Sequence, residues 1–395
     1  MTPGMVVLML SLMLGMQALT TDLYLPSLPL LKADLVASMP QVQLTLTSLL
    51  VSFGVSQLAW GPVADRWGRK PVLMVGLCGY TLASMGCVLA PSIDGLIAWR
   101  ALQGVAMGAV VMCARAIVRD LYNPLDGARA MSKALTGLGI MACLSAPTGS
   151  LIAEFLGWRS ALAVLAAFGL FSTVFILPRF RETLPQKRPD ATRIGPLVRT
   201  WVEIVAHPTF RAYALLMMGA YGALFSFLSS SSFVLIGVMG LSRLEYGLVL
   251  FLLSISYIGG TLLCRRLLLR HGQRRTIRLG ALMSLSGGVG MFVLHELGEP
   301  SLAALLLPFF LIMVAHGIHQ PIGQSGAVAP FPKAAGAASA LSGFVMMAVA
   351  FAIGRWMGQH LDGTVFPLVG SELFWTAWTA LAGLTVVQRH GEPHV

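Results

Sequence analysis

The chain has 395 residues, 56% of them hydrophobic and only 11% charged, with a net charge of +11. Ordinary soluble proteins carry about 25% charged residues, so this composition excludes a soluble globular enzyme and points to packed membrane helices. The basic excess is spread over separate short loops with no folded basic domain, which excludes nucleic-acid binding and reads as a membrane-orientation signal.

A hydrocarbon core of about 30 Å needs about 20 apolar residues per helix. Twelve segments meet that need, near 4–31, 42–62, 71–90, 94–117, 130–153, 159–178, 211–236, 244–264, 276–295, 301–327, 335–356 and 366–387. The fold class expected is therefore all-α, with twelve transmembrane helices.

The first segment has no basic leader and runs on into a full span, so it reads as a helix and not as a cleaved leader. Past its middle it carries Asp22, with Gln17 and Tyr24 nearby. A carboxylate at that depth costs several kcal/mol unless it is neutral or wetted. Such a group can take up and release a proton; the plainer alternative is a structural acid bonded to a neighbouring helix.

Between the second and third segments lies Gly61-Pro-Val-Ala-Asp65-Arg66-Trp-Gly68-Arg69-Lys70. Four charges between two apolar runs make a tight basic loop at a membrane face. The pattern returns, degraded, about half a chain later as Arg270-His271-Gly272-Gln273-Arg274. A charged hairpin at equivalent places in two halves is what an internally repeated transporter produces.

The fourth segment opens with Arg100, Gln103 and Gly104 and closes with Arg115, Arg119 and Asp120. A guanidinium does not deprotonate, so Arg100 requires water, an acid or backbone oxygens. The fifth holds Ala146-Pro147-Thr148-Gly149-Ser150, a kink and close-packing signal that many membrane helices share. After the sixth comes the one long polar connection, basic and proline-containing, with an amphipathic piece expected around Leu197 to Val205. It divides the chain into a six-helix bundle at 1–178, a linker at 179–210 and a second bundle at 211–395.

In the second half the polar content of the spans is Ser226, Ser229 to Ser232, His316, His319, Gln320 and Gln324. His316 and His319 share one side of the tenth helix, but no acid or cysteine neighbours them, so cavity lining or helix contact is expected there and no metal. Tyr221, Phe225, Phe227 and Tyr257 could form aromatic cavity walls or simply pack. The five cysteines all fall in apolar segments and read as small core residues. With the N-terminus inside, only Lys32, Arg159, Arg243 and Arg355 among the loop cations fall outside, which places both termini in the cytoplasm.

Gly61-x-x-x-Asp65-Arg66-x-Gly68-Arg69-Lys70 resembles the signature loop of the major facilitator superfamily, and Arg100-x-x-Gln103-Gly104 its fourth-helix motif. Asp22-Leu-Tyr-Leu-Pro-Ser-Leu-Pro29, Arg119-Asp120-Leu121-Tyr122 and Phe331-Pro332-x-Ala334-Ala335-Gly336 resemble the Bcr/CflA branch of drug:proton antiporters. The resemblance covers essentially the whole chain. It implies alternating access and drug export driven by inward proton flow, with Asp22 as the proton-linked acid and Arg100 coupled to it. Gly61, Asp65, Arg66, Gly68, Arg69, Arg119 and Asp120 would form a gate, and Pro147 and Gly149 a bend. Gln17, Tyr24, Gln103, Tyr221, Phe225, His316, His319 and Gln320 are the candidate cavity residues.

The expected protein is a monomeric, multi-pass transporter of the bacterial inner membrane. It uses protons as coupling ion, small drugs as substrates and no cofactor. The alternative is an exporter of an endogenous amino acid or sugar with the same fold. No P-loop, metal-dense cluster or nucleophile–base pair supports an enzyme.

Overall fold

The computed structural model describes residues 2–122, 124–298 and 301–391. The end of the expected tail, 392–395, lies outside the described residues. The chain is helical throughout: α1 (Pro3–Asp22), α2 (Leu28–Asp34), α3 (Met39–Trp67), α4 (Arg69–Leu89), α5 (Ile93–Leu121), α6 (Pro124–Leu156) and α7 (Trp158–Ile176) make up the first half. The second half holds α8 (Ile194–Ala206), α9 (Pro208–Ser231), α10 (Arg243–Leu297), α11 (Leu302–Val328), α12 (Ala335–His360), α13 (Phe366–Leu381) and α14 (Val387–His390).

Ten of these segments are long and apolar enough to cross a membrane. One of them, α10, is two spans joined at Gly272, whose φ of 72° and ψ of 175° break the helix. A further span starts with α13, which runs on through a π-helical stretch at Ala382–Val386 into α14. Twelve spans result, as the hydropathy predicts. The reason is local: in lipid each backbone group must be bonded inside its own segment, so apolar runs of this length become helices. Serine starts several of them. Ser38 makes a reciprocal capping box with Gln41, and Ser92 and Ser301 accept from Gly95 and Ala304.

The helices form two compact units. The first comprises Met1–Leu197 with Arg243–Leu248, and the second Val198–Ser242 with Val249–Val395. In the first, α5 packs on both α3 and α4, and α1 on α6; in the second, α9 is the hub for α11, α12 and α13. Arg243, at the start of α10, clusters with the first unit, where its Nη1 lies 2.7 Å from Glu154 Oε2.

Each unit buries a number of polar groups among its apolar core and exposes many large apolar side chains. Arg100, Gln103, His316, His319 and Glu372 are buried, while Leu82, Leu89, Phe155, Leu262, Leu307 and Phe374 are exposed. Apolar side chains facing outwards meet lipid. The amphipathic piece expected at Leu197 begins earlier, at Ile194. Its exposed Ile194, Val198, Val202 and Val205 make one apolar stripe, suited to lying flat on the bilayer surface.

Candidate functional site

The basic loop between the second and third spans is almost no loop at all. α3 ends at Trp67, α4 begins at Arg69, and Gly68 alone makes the turn with φ 111° and ψ 162°. Only glycine adopts that backbone readily. Gly272 turns the equivalent point of the second half in the same region, with φ 72° and ψ 175°.

The turn throws Arg69 inwards, where it is 1% exposed. Its Nε donates to Asp120 Oδ2 at 2.8 Å and its Nη2 to Oδ1 at 3.5 Å. Its Nη1 also lies 2.7 Å from Asp65 Oδ1, an ion contact without hydrogen-bond geometry. Arg119 reaches Asp65 only at 4.0 Å and is largely exposed. Arg66 turns the other way and donates to Thr192 Oγ1 at 2.6 Å. Gly61, one helical turn before Asp65 within α3, has open space around it.

A residue absent from the sequence expectations completes this cluster. Glu182, just after α7, accepts from the backbone N–H of Arg69 at 2.9 Å and of Lys70 at 3.0 Å, capping the start of α4. It also accepts from its own neighbours Thr183 and Leu184, each at 3.0 Å. Partial burial pushes this carboxyl up, but the N–H groups of Leu184, Lys70, Arg69 and Thr183 outweigh that and hold it below its ordinary 4.5. Thr183 Oγ1 donates to Asp120, and the Arg188 N–H to the Asp65 carbonyl. The start of the linker is therefore a strap tied to the charged turn. Its sequence signal was an acid set between Arg181 and Thr183 in an otherwise basic stretch.

Deeper in the same unit lies the second cluster. Arg100 is fully buried. Its Nε donates to the Thr45 carbonyl at 3.2 Å, its Nη1 to Gln103 Oε1 at 2.7 Å and its Nη2 to the Thr20 carbonyl at 3.4 Å. The guanidinium stacks 4.3 Å from the centre of the Tyr24 ring. Gln103 passes the chain of bonds to Ser84 at 2.7 Å, Tyr24 donates to Thr45 at 2.6 Å, and Thr20 meets the Tyr80 hydroxyl at 2.6 Å. Carbonyls and π-faces satisfy the arginine, as a buried guanidinium requires. Thr20 and Tyr80 were not among the expected site residues.

Asp22 is not ion-paired with Arg100. It is the last residue of α1, its Oδ1 accepting from Thr21 Oγ1 at 3.0 Å. Arg100 grips the residues two before and two after it, Thr20 and Tyr24, and both are buried, whereas Asp22 is half-buried. Arg100 therefore holds the backbone on either side of Asp22, through the Thr20 carbonyl and the Tyr24 ring. α6 comes up on the other side. Gly149 lies so close to the end of α1 that a Cβ there would overlap the Leu23 carbonyl oxygen. α6 itself runs unbroken through Pro147.

The cavity candidates divide. Tyr24 and Gln103 are sealed into the Arg100 cluster, while Gln17 is half-buried on α1. In the second unit, His316 Nδ1 lies 3.0 Å from the Ala220 carbonyl and its ring 5.6 Å from that of Tyr257. His319 is buried with the Ile277 backbone facing its ring, though neither ring nitrogen reaches hydrogen-bond geometry among the described residues, where Gln320 Oε1 also has no partner. Tyr221 stacks on Phe225 at 6.3 Å. Among the described residues no group of three or more His, Cys, Asp or Glu is placed to hold a metal.

A profile of the Major Facilitator Superfamily matches residues 10–354. The chain belongs to the major facilitator superfamily. It is thus a multi-pass membrane transporter and not an enzyme. It is 30% identical to multidrug resistance protein D of Escherichia coli, over 98% of this chain and 97% of that protein. It is 25% identical to a bicyclomycin resistance protein homolog of Haemophilus influenzae, over 88% and 87% of the two chains. These relatives place it in the Bcr/CflA branch. In fold it is similar to a bacterial homolog of the human lysosomal transporter Spinster, with a TM-score of 0.75, 16% identity, and 99% and 98% of the chains covered.

Proposed function

We propose that this superfamily member is a drug exporter of the bacterial inner membrane that exchanges small drugs for protons, with the Gly68 turn at the cytoplasmic face. The observation that carries the reading is the setting of Asp22. It is the acid past the middle of the first span, on a backbone clamped through Thr20 and Tyr24 by a buried arginine that makes no salt bridge to it. A carboxylate so placed can bind a proton or a cationic or polar drug, and mutual exclusion of the two gives exchange by linkage. The names of the relatives, multidrug and bicyclomycin resistance proteins, support the choice of drugs as cargo.

Arg100 is a positioning residue in this scheme. The turn at Gly68, with Arg69, Asp65 and Asp120, is the two-state element whose ion pairs bias the cytoplasmic gate. The proton supplies about 2.3 kcal/mol per 100 mV of membrane potential. No cofactor is required, and one chain suffices. The test is drug susceptibility with the gene expressed in a host lacking its own pumps. Raised inhibitory concentrations for several unrelated drugs are expected, and they should fall to the empty-vector level in Asp22→Asn. Unchanged susceptibility across the panel would overturn drug export in favour of an endogenous metabolite as cargo.

A further inference from the structure

The second unit holds a carboxyl that the scheme above does not use. Glu372, in the second turn of α13, is 0% exposed. Neither carboxyl oxygen has a hydrogen-bond partner among the described residues, although the Phe227 backbone amide faces it. An ionised carboxylate buried without a partner is among the costliest groups a membrane helix can carry. The group is therefore seated as the neutral acid.

The seam around it is close and lightly polar. Ser371 and Ser226 share a hydrogen bond of 2.7 Å between α13 and α9. Thr376, one turn along on the same face as Glu372, packs against Gly288 of α10. In the other direction that face leads away from the Gly272 turn. Val369 and Val365, three and seven residues before Glu372, line a hollow together with Met291, His295 and Ser301. Its volume of about 10 Å³ is on the scale of one water molecule. His295 is half-buried at its rim, beside the exposed Glu296. Tyr221 is the titratable group at mid-span on α9. The arginines of the packed helices (Arg211, Arg274, Arg275, Arg278 and Arg389) lie at the opposite end of the spans, by the Gly272 turn. None forms a salt bridge to Glu372 among the described residues.

We propose that Glu372 is a second proton-binding group, which exchanges its proton with the membrane face opposite the Gly272 turn. The hollow stops one helical turn short of the carboxyl. A water there, held by His295 and Ser301, brings bulk protons to within one turn of it. The distinguishing feature is sidedness: the group answers to the pH of one face only.

The test needs no drug, so it stands or falls apart from the efflux reading. The full-length protein is reconstituted in vesicles with its orientation fixed by one-sided protease cleavage. Dicyclohexylcarbodiimide, which modifies protonated carboxyls buried in lipid, is added with the pH of each side set separately. The Glu372 peptide is then quantified by mass spectrometry. Labelling at pH 6 on the face away from the Gly272 turn is expected to fall several-fold when that face alone is brought to pH 9. It should stay constant when only the other face is changed, and Asp22→Asn should behave as wild type. Glu372→Gln serves as the zero of the label. Labelling that ignores both sides would mean a fixed structural acid, and labelling that follows the turn side would mean entry from the other face. Either result, or no labelling, overturns the proposal.

Discussion

The pair of Arg69 with Asp120 should dominate the energetics of the charged turn, and a double-mutant cycle can measure it. The two side chains are 1% and 7% exposed and bond at 2.8 Å. Removing one partner of a buried pair costs about 3–5 kcal/mol because the other charge is stranded. Here Arg69 keeps a second acid, Asp65, at 2.7 Å and 31% exposure, so Asp120→Asn belongs at the lower end, about 3 kcal/mol. The rim pair of Arg119 with Asp65 spans 4.0 Å at 61% and 31% exposure, and solvent leaves such pairs about 0–0.5 kcal/mol. The assay is unfolding in mixed micelles of increasing sodium dodecyl sulfate fraction, for wild type, both single variants and the double variant of each pair. We expect a coupling of about 2 kcal/mol for Arg69→Gln with Asp120→Asn. For Arg119→Gln with Asp65→Asn it should be under about 0.5 kcal/mol. Equal couplings, or a larger one at the rim, would refute the inference that burial ranks these pairs.

Three further outcomes follow from the same geometry. The Glu182 carboxyl is held below its ordinary 4.5, so its stabilising contribution is complete above that pH and is lost as pH falls through the lower folded-state value. Glu182→Gln should therefore be less stable than wild type near neutrality, and the gap should close in acid, as read by unfolding at pH 7 and below 4.5. Gly68→Ala and Gly272→Ala both force alanine into a glycine-only backbone region, at about 1–3 kcal/mol each. Gly68→Ala should cost more, because its Cβ would come 2.5 Å from Glu182 Oε2 while Gly272 has open space; thermal melts in detergent rank the two. Gly149→Ala should push α6 off the Leu23 carbonyl and cost about 1–3 kcal/mol of overpacking, with a transport defect measurable in vesicles.

The spans, the repeated turn and the charged cluster were all legible in the sequence, for physical reasons. Apolar runs in lipid have one backbone solution. A glycine flanked by charges between two such runs has one local solution, and Arg69 does reach Asp120. What stayed hidden depended on chain segments far apart. Glu182 reads as one acid in a polar linker until folding brings it to the amides of Arg69 and Lys70. The satisfaction of Arg100 was read as calling for an acid, water or carbonyls, and only packing shows that the Thr20 and Thr45 carbonyls and the Tyr24 ring answer it. Tyr24 and Gln103 look like cavity residues by type, yet both are consumed in holding that arginine. Glu372 lies inside the last span, yet it is not among the polar residues singled out in the second half. Its complete burial shows only once the chain is folded.

The central claim is that Asp22 trades a proton for drug, and proton release on drug binding tests it most directly. Purified protein in weakly buffered detergent solution, with a pH-sensitive dye, receives a drug found to be exported. Wild type should release protons in proportion to bound drug, and Glu372→Gln should do the same. Asp22→Asn, which mimics the protonated acid, should bind without release. Proton release from Asp22→Asn equal to that of wild type would contradict the account and place the coupling group elsewhere in the protein.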